Sequence, residues 1–277
     1  LMLFMTLGHF AGNQPRREKI RQRLTRVYGA QAVTFASFDE TPLAGLLIER
    51  PAAKGTVILC HGYRHSKEQM SRFIPLFDGY NILLFDFRGA GESGGFFSTL
   101  GYYESNDIKA AIAFLHQTLP SAGLRPLILL GVSMGAAAAL KAAAEMPAGI
   151  DALILDSAYA KLQNIVDESA HHFSYIPSWL VCCSASFVQA LVGPFLSMNP
   201  EEYCQHVAVP SFFIHSGTDV ITSPLHSVRL CGRMQLRGKA LATIWLTPPA
   251  KHATSFLAYP QEYGRRVRRF LEVAGCC

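Results

Sequence analysis

Gly131-Val132-Ser133-Met134-Gly135 lies between an apolar run, Pro126 to Leu130, and Ala136 to Ala144, a stretch of strong helix formers. A serine at a sharp strand-to-helix turn has little room around it. Glycines two residues before and two after let neighbouring backbone approach closely, which leaves the hydroxyl exposed at the top of a sheet. The succeeding helix points its N-terminal amides at the spot where an oxyanion would form. Strand, motif and helix together predict a nucleophilic Ser133 on an α/β scaffold.

The rest of the chain fits that scaffold. Val33–Phe38 and Leu43–Glu49 read as a hairpin around Asp39-Glu40-Thr41-Pro42. Short apolar runs then alternate with helical patterns: Thr56–Cys60, Asn81–Phe85, Leu127–Leu130, Ala152–Leu155, Ser211–His215 and Leu241–Leu246. Such runs suit strands buried on both faces of a parallel sheet. The intervening helices are expected at Lys67–Phe77, Tyr103–Thr118, Ala136–Glu145, Pro224–Gln235 and Pro260–Val273. The fold class is α/β, a doubly wound, mostly parallel sheet with an N-terminal hairpin. The rhythm breaks once, between Asp156 and Pro210, where the apolar stretch Ser178–Leu196 reads as a helical cap inserted at about 157–209. Caps of this sort sit over the carboxyl ends of the strands, where open α/β sheets bind ligands. Ordinary helical packing on one sheet face is the other reading.

With 50% hydrophobic and 16% charged residues among 277, the chain can bury a sizeable core, and disorder is excluded. The net charge of +5 does not follow a groove-like pattern of basic and aromatic residues, so nucleic acid is not an expected partner. Basic residues do concentrate between Arg16 and Arg26, after the apolar start Leu1–Phe10. That start is shorter than the ~20 apolar residues a membrane span needs. Residues 1–30 are read as the remnant of a membrane anchor with a lipid-facing basic flank, or as an amphipathic helix packed on the domain. The corresponding locations are membrane-anchored or cytoplasmic. Seven cysteines, four of them in two adjacent pairs (Cys182-Cys183 and Cys276-Cys277), form no disulfide or zinc framework.

A serine nucleophile needs a base, and the base an orienting acid, in the chain order Ser…Asp/Glu…His. His252 follows the last expected strand in a loop that can hang over Ser133. Asp219 follows Ser211–His215 in the turn Ser216-Gly217-Thr218-Asp219, the position expected of the acid. Asp156 ends the preceding strand and is the alternative. The oxyanion hole is expected from the backbone N–H groups of Tyr63, directly after His61-Gly62, and of Met134; His61 itself holds the loop. Gly89–Gly94 spells G-x-G-x-x-G, but Gly95–Gly101 intervenes before any helix, so no dinucleotide cofactor is expected. Neither His61 with His65 nor His171 with His172 has a third ligand at sensible spacing, so no metal is expected.

With these pieces in order, the chain resembles the α/β-hydrolase superfamily, in the branch of serine aminopeptidase-like and prolyl-oligopeptidase-related esterases. The matching segments are His61-Gly62-Tyr63, Asp86–Ser93, Thr99–Tyr102, Gly131–Gly135, Asp156–Ala160, His215–Asp219 and Lys251-His252. Such proteins usually carry Gly before the catalytic His and Val-Pro after the acid; here those places hold Lys251 and Thr222-Ser223. The resemblance implies a cofactor-free serine hydrolase acting on a small acyl ester. A thioesterase or depalmitoylase, an aminopeptidase using Asp167-Glu168 or Glu201-Glu202 to hold an amine, an acyltransferase and a non-catalytic binding protein are the alternatives.

Overall fold

The computed structural model describes residues 14–165, 194–238 and 241–277. Its strands are β1 (Gln31–Ala36), β2 (Pro42–Ile48), β3 (Thr56–Cys60), β4 (Asn81–Phe85), β5 (Leu127–Val132), β6 (Ala152–Asp156), β7 (Ser211–Ser216) and β8 (Ala242–Thr247). They form one sheet in the order β1-β2-β4-β3-β5-β6-β7-β8. The hairpin strands run antiparallel to each other, and β2 runs antiparallel to β4. Every other pairing is parallel.

The apolar runs become strands because both sheet faces are covered. Along β3, Ile58 and Cys60 enter one core cluster while Val57 and Leu59 enter the other. The same alternation splits Leu127 and Leu129 from Ile128 and Leu130 in β5. A period of two sends successive side chains to opposite faces, and here each face has helices to receive them. The first cluster includes α3 (Glu104–Thr118), α4 (Met134–Glu145) and α5 (Pro224–Arg237). The second includes Leu24 of α1 (Gln14–Tyr28) and Tyr263, Val267, Phe270 and Leu271 of α6 (Pro260–Val273); α2 is the short helix Lys67–Met70.

Three details depart from or refine the sequence reading. Lys67–Phe77 is not one α-helix: Lys67–Met70 is α-helical and Ser71–Leu76 is a tighter 3₁₀ segment. Pro75 explains the change, since it has no N–H to give to the turn before it and its ring crowds the carbonyl four residues back. The basic run Arg16–Arg26 lies in a helix packed on the domain, with Arg17 and Leu24 buried. Arg17 Nε donates to Glu68 Oε2 at 3.1 Å, and Arg21 pairs with Glu92. Among the described residues no helix is long and apolar enough to cross a membrane; Leu1–Phe10 lies outside them. Of the expected cap, residues 166–193 lie outside the described residues, and with them Asp167-Glu168, His171-His172 and Cys182-Cys183. Between residue 193 and β7 lie the 3₁₀ turn Phe195–Ser197 and the short helix Pro200–Tyr203.

The hairpin is fastened to the sheet by Arg88, just after β4. Its guanidinium donates to Asp107 of α3 at 2.7 Å, to Asp39 in the hairpin turn at 2.9 Å, and to Ser37 Oγ at 2.9 Å.

The chain order reverses at β3: β4 lies on one side of it and β5 on the other. Loops leaving the carboxyl ends of β3 and β5 therefore part company and open a crevice. That is where open α/β sheets place their ligands.

Candidate active site

Cys60 of β3 is in register with Gly131 of β5, so the loops after the two strands begin at the same level. Ser133 has φ +55° and ψ −117°, a conformation that an L-residue rarely adopts and that local packing must impose. The two glycines show how. A Cβ on Gly131 would lie 2.4 Å from the Gly135 carbonyl oxygen, and a Cβ on Gly135 would lie 2.3 Å from that of Cys60. Helix α4 thus sits hard against the end of β3, and the serine is forced out above it. Ser133 N–H is used, donating to the Asp156 carbonyl at 2.8 Å.

His252 comes from the loop after β8. Its Nε2 is 2.9 Å from Ser133 Oγ, and its Nδ1 is 2.6 Å from Asp219 Oδ2. The carboxylate accepts the hydrogen bond from Nδ1–H, which leaves Nε2 as the acceptor facing the hydroxyl. Asp219 is buried, and its other oxygen accepts the backbone N–H groups of Ile221 at 2.9 Å and Thr222 at 3.0 Å. Burial works against its charge, but hydrogen bonds from His215 and His252 prevail and hold the carboxyl well below the usual range.

The structure therefore brings Ser133, His252 and Asp219 together. Asp156 stands apart: its oxygens are bound by Ser157 Oγ at 2.9 Å and the Tyr263 hydroxyl at 3.1 Å, and none of its hydrogen bonds runs to His252. Burial raises its pKa, and those hydroxyls oppose the rise.

Gly62 brings the loop after β3 up to Ser133. A Cβ there would be 3.4 Å from Ser133 Cβ and 3.3 Å from the Val132 carbonyl oxygen. Tyr63 is the next residue. Met134 opens α4, where a helix leaves its first amides without intrahelical partners. His61 is buried under this loop. Its Nε2 accepts the Phe87 N–H at 3.0 Å, so Nδ1 carries the proton and donates to the Gly62 carbonyl at 2.7 Å. Burial keeps the ring neutral by pushing its pKa down.

Two arrangements were not read from the sequence. His215, at the end of β7, donates from Nε2 to the Thr222 carbonyl at 2.8 Å and lies 3.3 Å from Asp219 Oδ2; Ser227 Oγ fixes its other nitrogen at 2.7 Å. It braces the turn that carries Asp219, and its position four residues before Asp219 is the signal that could have found it. Within Gly89–Gly94 it is Gly91 that serves a carboxylate: a Cβ there would fall 2.0 Å from Asp86 Oδ2, which accepts the Glu92 N–H at 2.9 Å. Asp86 also binds Lys67 N–H at 2.7 Å and Lys67 Nζ at 2.6 Å, joining this turn to the segment after β3.

A family profile described as serine aminopeptidase, S33, matches residues 51–202. A Bacillus subtilis protein, YqkD, is 28% identical over 224 residues, spanning 78% of this chain and 71% of its own. Lysophosphatidylserine lipase ABHD12 of Danio rerio is 26% identical over 147 residues, 52% of this chain and 36% of its own. Among solved structures, the Pyrococcus furiosus esterase Pf2001 superposes with a TM-score of 0.73 at 26% identity, covering 92% of this chain and 94% of that one.

Proposed function

Because this chain belongs to the serine aminopeptidase S33 family of α/β-hydrolases, we propose that it hydrolyses carboxylic esters through an acyl-enzyme on Ser133. The observation that carries this reading is the continuous hydrogen-bonded path from Ser133 Oγ through His252 to Asp219, at 2.9 and 2.6 Å. Ser133 Oγ attacks the acyl carbon and gives its proton to His252 Nε2. Asp219 holds the imidazole in the required tautomer and stabilises its cation. The Tyr63 and Met134 amides take the developing oxyanion, each worth ~2.7–4 kcal/mol of barrier in comparable sites. His252 then protonates the departing alcohol. Water, deprotonated by the same imidazole, releases the acid and restores the serine.

Esterase and lipase relatives support an ester as the scissile bond. A peptidase reading is weakened at Glu201-Glu202, because Glu201 already accepts from Arg233 Nε at 2.7 Å. The test combines a fluorophosphonate probe with a panel of p-nitrophenyl esters of increasing chain length. Wild-type protein is expected to be labelled at Ser133 and to turn over, and Ser133→Ala to take no label and lose ~10⁴-fold or more in kcat. Folded wild-type protein that neither reacts with the probe nor cleaves any ester would end the proposal.

A further inference from the structure

A cavity of about 650 Å³ reaches His252 from the side of the loop after β3. Its wall carries four guanidinium groups, those of Arg16, Arg17, Arg64 and Arg72, against one carboxylate, Glu68. Glu68 is already met by Arg17 Nε at 3.1 Å and Ser66 Oγ at 2.7 Å, with Lys67 Nζ 3.6 Å behind it. The wall is therefore strongly cationic. It also contains buried donors that nothing satisfies: Nη1 and Nη2 of Arg17 and Nε of Arg72 have no hydrogen-bond partner. Arg17 is only 6% exposed, and its Nη2 is 3.8 Å from Asp86 Oδ2, beyond hydrogen-bond reach. Arg72 Nη2 donates to the Ala253 carbonyl at 3.3 Å, beside His252. Arg17 is charge-paired with Glu68, whose Oε1 also lacks a hydrogen bond, but buried N–H groups left without an acceptor are costly, and an acceptor entering the cavity would satisfy them.

The cavity is also close to the reacting atoms. His65 lies in its wall, and a Cβ on Gly62 would be 3.4 Å from both His65 Nδ1 and Ser133 Cβ. We propose that this cavity is a subsite for a phosphate on the alcohol part of the substrate, so that the bond cleaved is an acyl ester of a phosphorylated alcohol. The assignment to the alcohol part rests on the esterase reading above: His252 must pass its proton to the departing alkoxide, so that part lies against the imidazole that the cavity shares. Phosphate matches better than carboxylate, since a phosphate monoester carries about −1.5 to −2 charges on three acceptor oxygens. Guanidinium forks bind such groups in bidentate pairs. Arg16 and Arg64, both exposed, stand where an entering anion meets them first.

The test compares kcat/KM for 1-butyrylglycerol 3-phosphate with that for 1-butyrylglycerol, in wild type, Arg64→Gln and the Arg16→Gln/Arg64→Gln double variant. Wild type is expected to favour the phosphorylated ester by about tenfold or more at low salt. That ratio should fall toward one in the double variant and as salt rises. A wild-type ratio at or below one, or a ratio the double variant leaves unchanged, overturns the subsite. Matched palmitoyl esters, with and without the phosphate, identify the source: a larger phosphate preference on the palmitoyl pair points to a lipid headgroup, and on the butyryl pair to a soluble ester. Calorimetric binding of sn-glycerol 3-phosphate needs no turnover. Binding to wild type that the double variant loses upholds the subsite even if neither ester is cleaved. Labelling of Ser133 with no binding and no phosphate preference rejects the subsite while leaving the esterase reading intact.

Discussion

Replacing Gly135 by alanine sets helix chemistry against packing. Gly135 is the second residue of α4, and inside a helix alanine is favoured over glycine by ~0.8–1.0 kcal/mol. On propensity alone the variant would be stabilised. The added Cβ, however, would sit 2.3 Å from the Cys60 carbonyl oxygen and 2.5 Å from that of His61. Ordinary contact begins near 3.4 Å, so the helix and the end of β3 must separate by about 1 Å. Both partners are main chain, and neither can swing aside. Overpacking of this kind costs about 1–3 kcal/mol, which exceeds the helix gain over most of that range. Net destabilisation of up to ~2 kcal/mol should lower the melting temperature by several degrees. The displaced strand end leads into Gly62 and Tyr63, so ester turnover should fall by ~10²-fold as the site loosens. Gly232→Ala in α5 is the control, because a Cβ there meets nothing within 4 Å. It should gain ~0.5–1 kcal/mol. Thermal and urea unfolding read both variants. A Gly135→Ala protein as stable as wild type, and as active, would refute the close approach on which the serine turn depends.

Asp219→Asn should lower kcat by ~10⁴-fold through loss of the correct imidazole tautomer, whereas Asp156→Asn should change kcat far less; equal losses in steady-state assays would reopen the choice of acid. Because the folded-state pKa of Asp219 is depressed, its contribution to stability is present above its unfolded value near ~3.9 and is lost as pH falls through the lower folded value. Urea midpoints from pH 7 down to pH 3 should therefore drop more steeply below about pH 4 in wild type than in Asp219→Asn, and parallel curves would contradict this. Arg88→Met leaves buried Asp107 without its cation and should cost ~3–5 kcal/mol in urea unfolding; a loss under 1 kcal/mol would mean that the hairpin does not depend on this pair.

The sheet was legible because parallel strands covered on both faces must be apolar at every position, which makes runs such as Thr56–Cys60 stand out. Ser133 was legible because its strain has a written signature, two glycines at fixed offsets from it. The carboxylate partner of His252 was harder to read, since Asp156 ends one strand and Asp219 lies in the turn just after another. What separates them is the surroundings of Asp219, where the amides of Ile221 and Thr222 and the ring of His215 aim its carboxylate, an arrangement that the strand pattern alone does not announce. Helix lengths failed where one residue decides locally, as Pro75 does for Lys67–Phe77. Long-range ion pairs such as Arg17 with Glu68, fifty-one residues apart, leave no periodic trace at all. The arginine-lined cavity was hidden for the same reason: Arg16, Arg64 and Arg72 come from separate segments, and only tertiary folding gathers them.

The bond between Arg17 and Glu68 also bears on where this enzyme can be cut. The hairpin at residue 31 looks like a natural place to begin a shortened version. Starting there would strip a guanidinium from a carboxylate that has almost no water to fall back on, and would uncover the niche that Leu24 fills. The leading helix is therefore a wall of the cavity that reaches His252, and any truncation or fusion joint is better set ahead of residue 14 than behind residue 28.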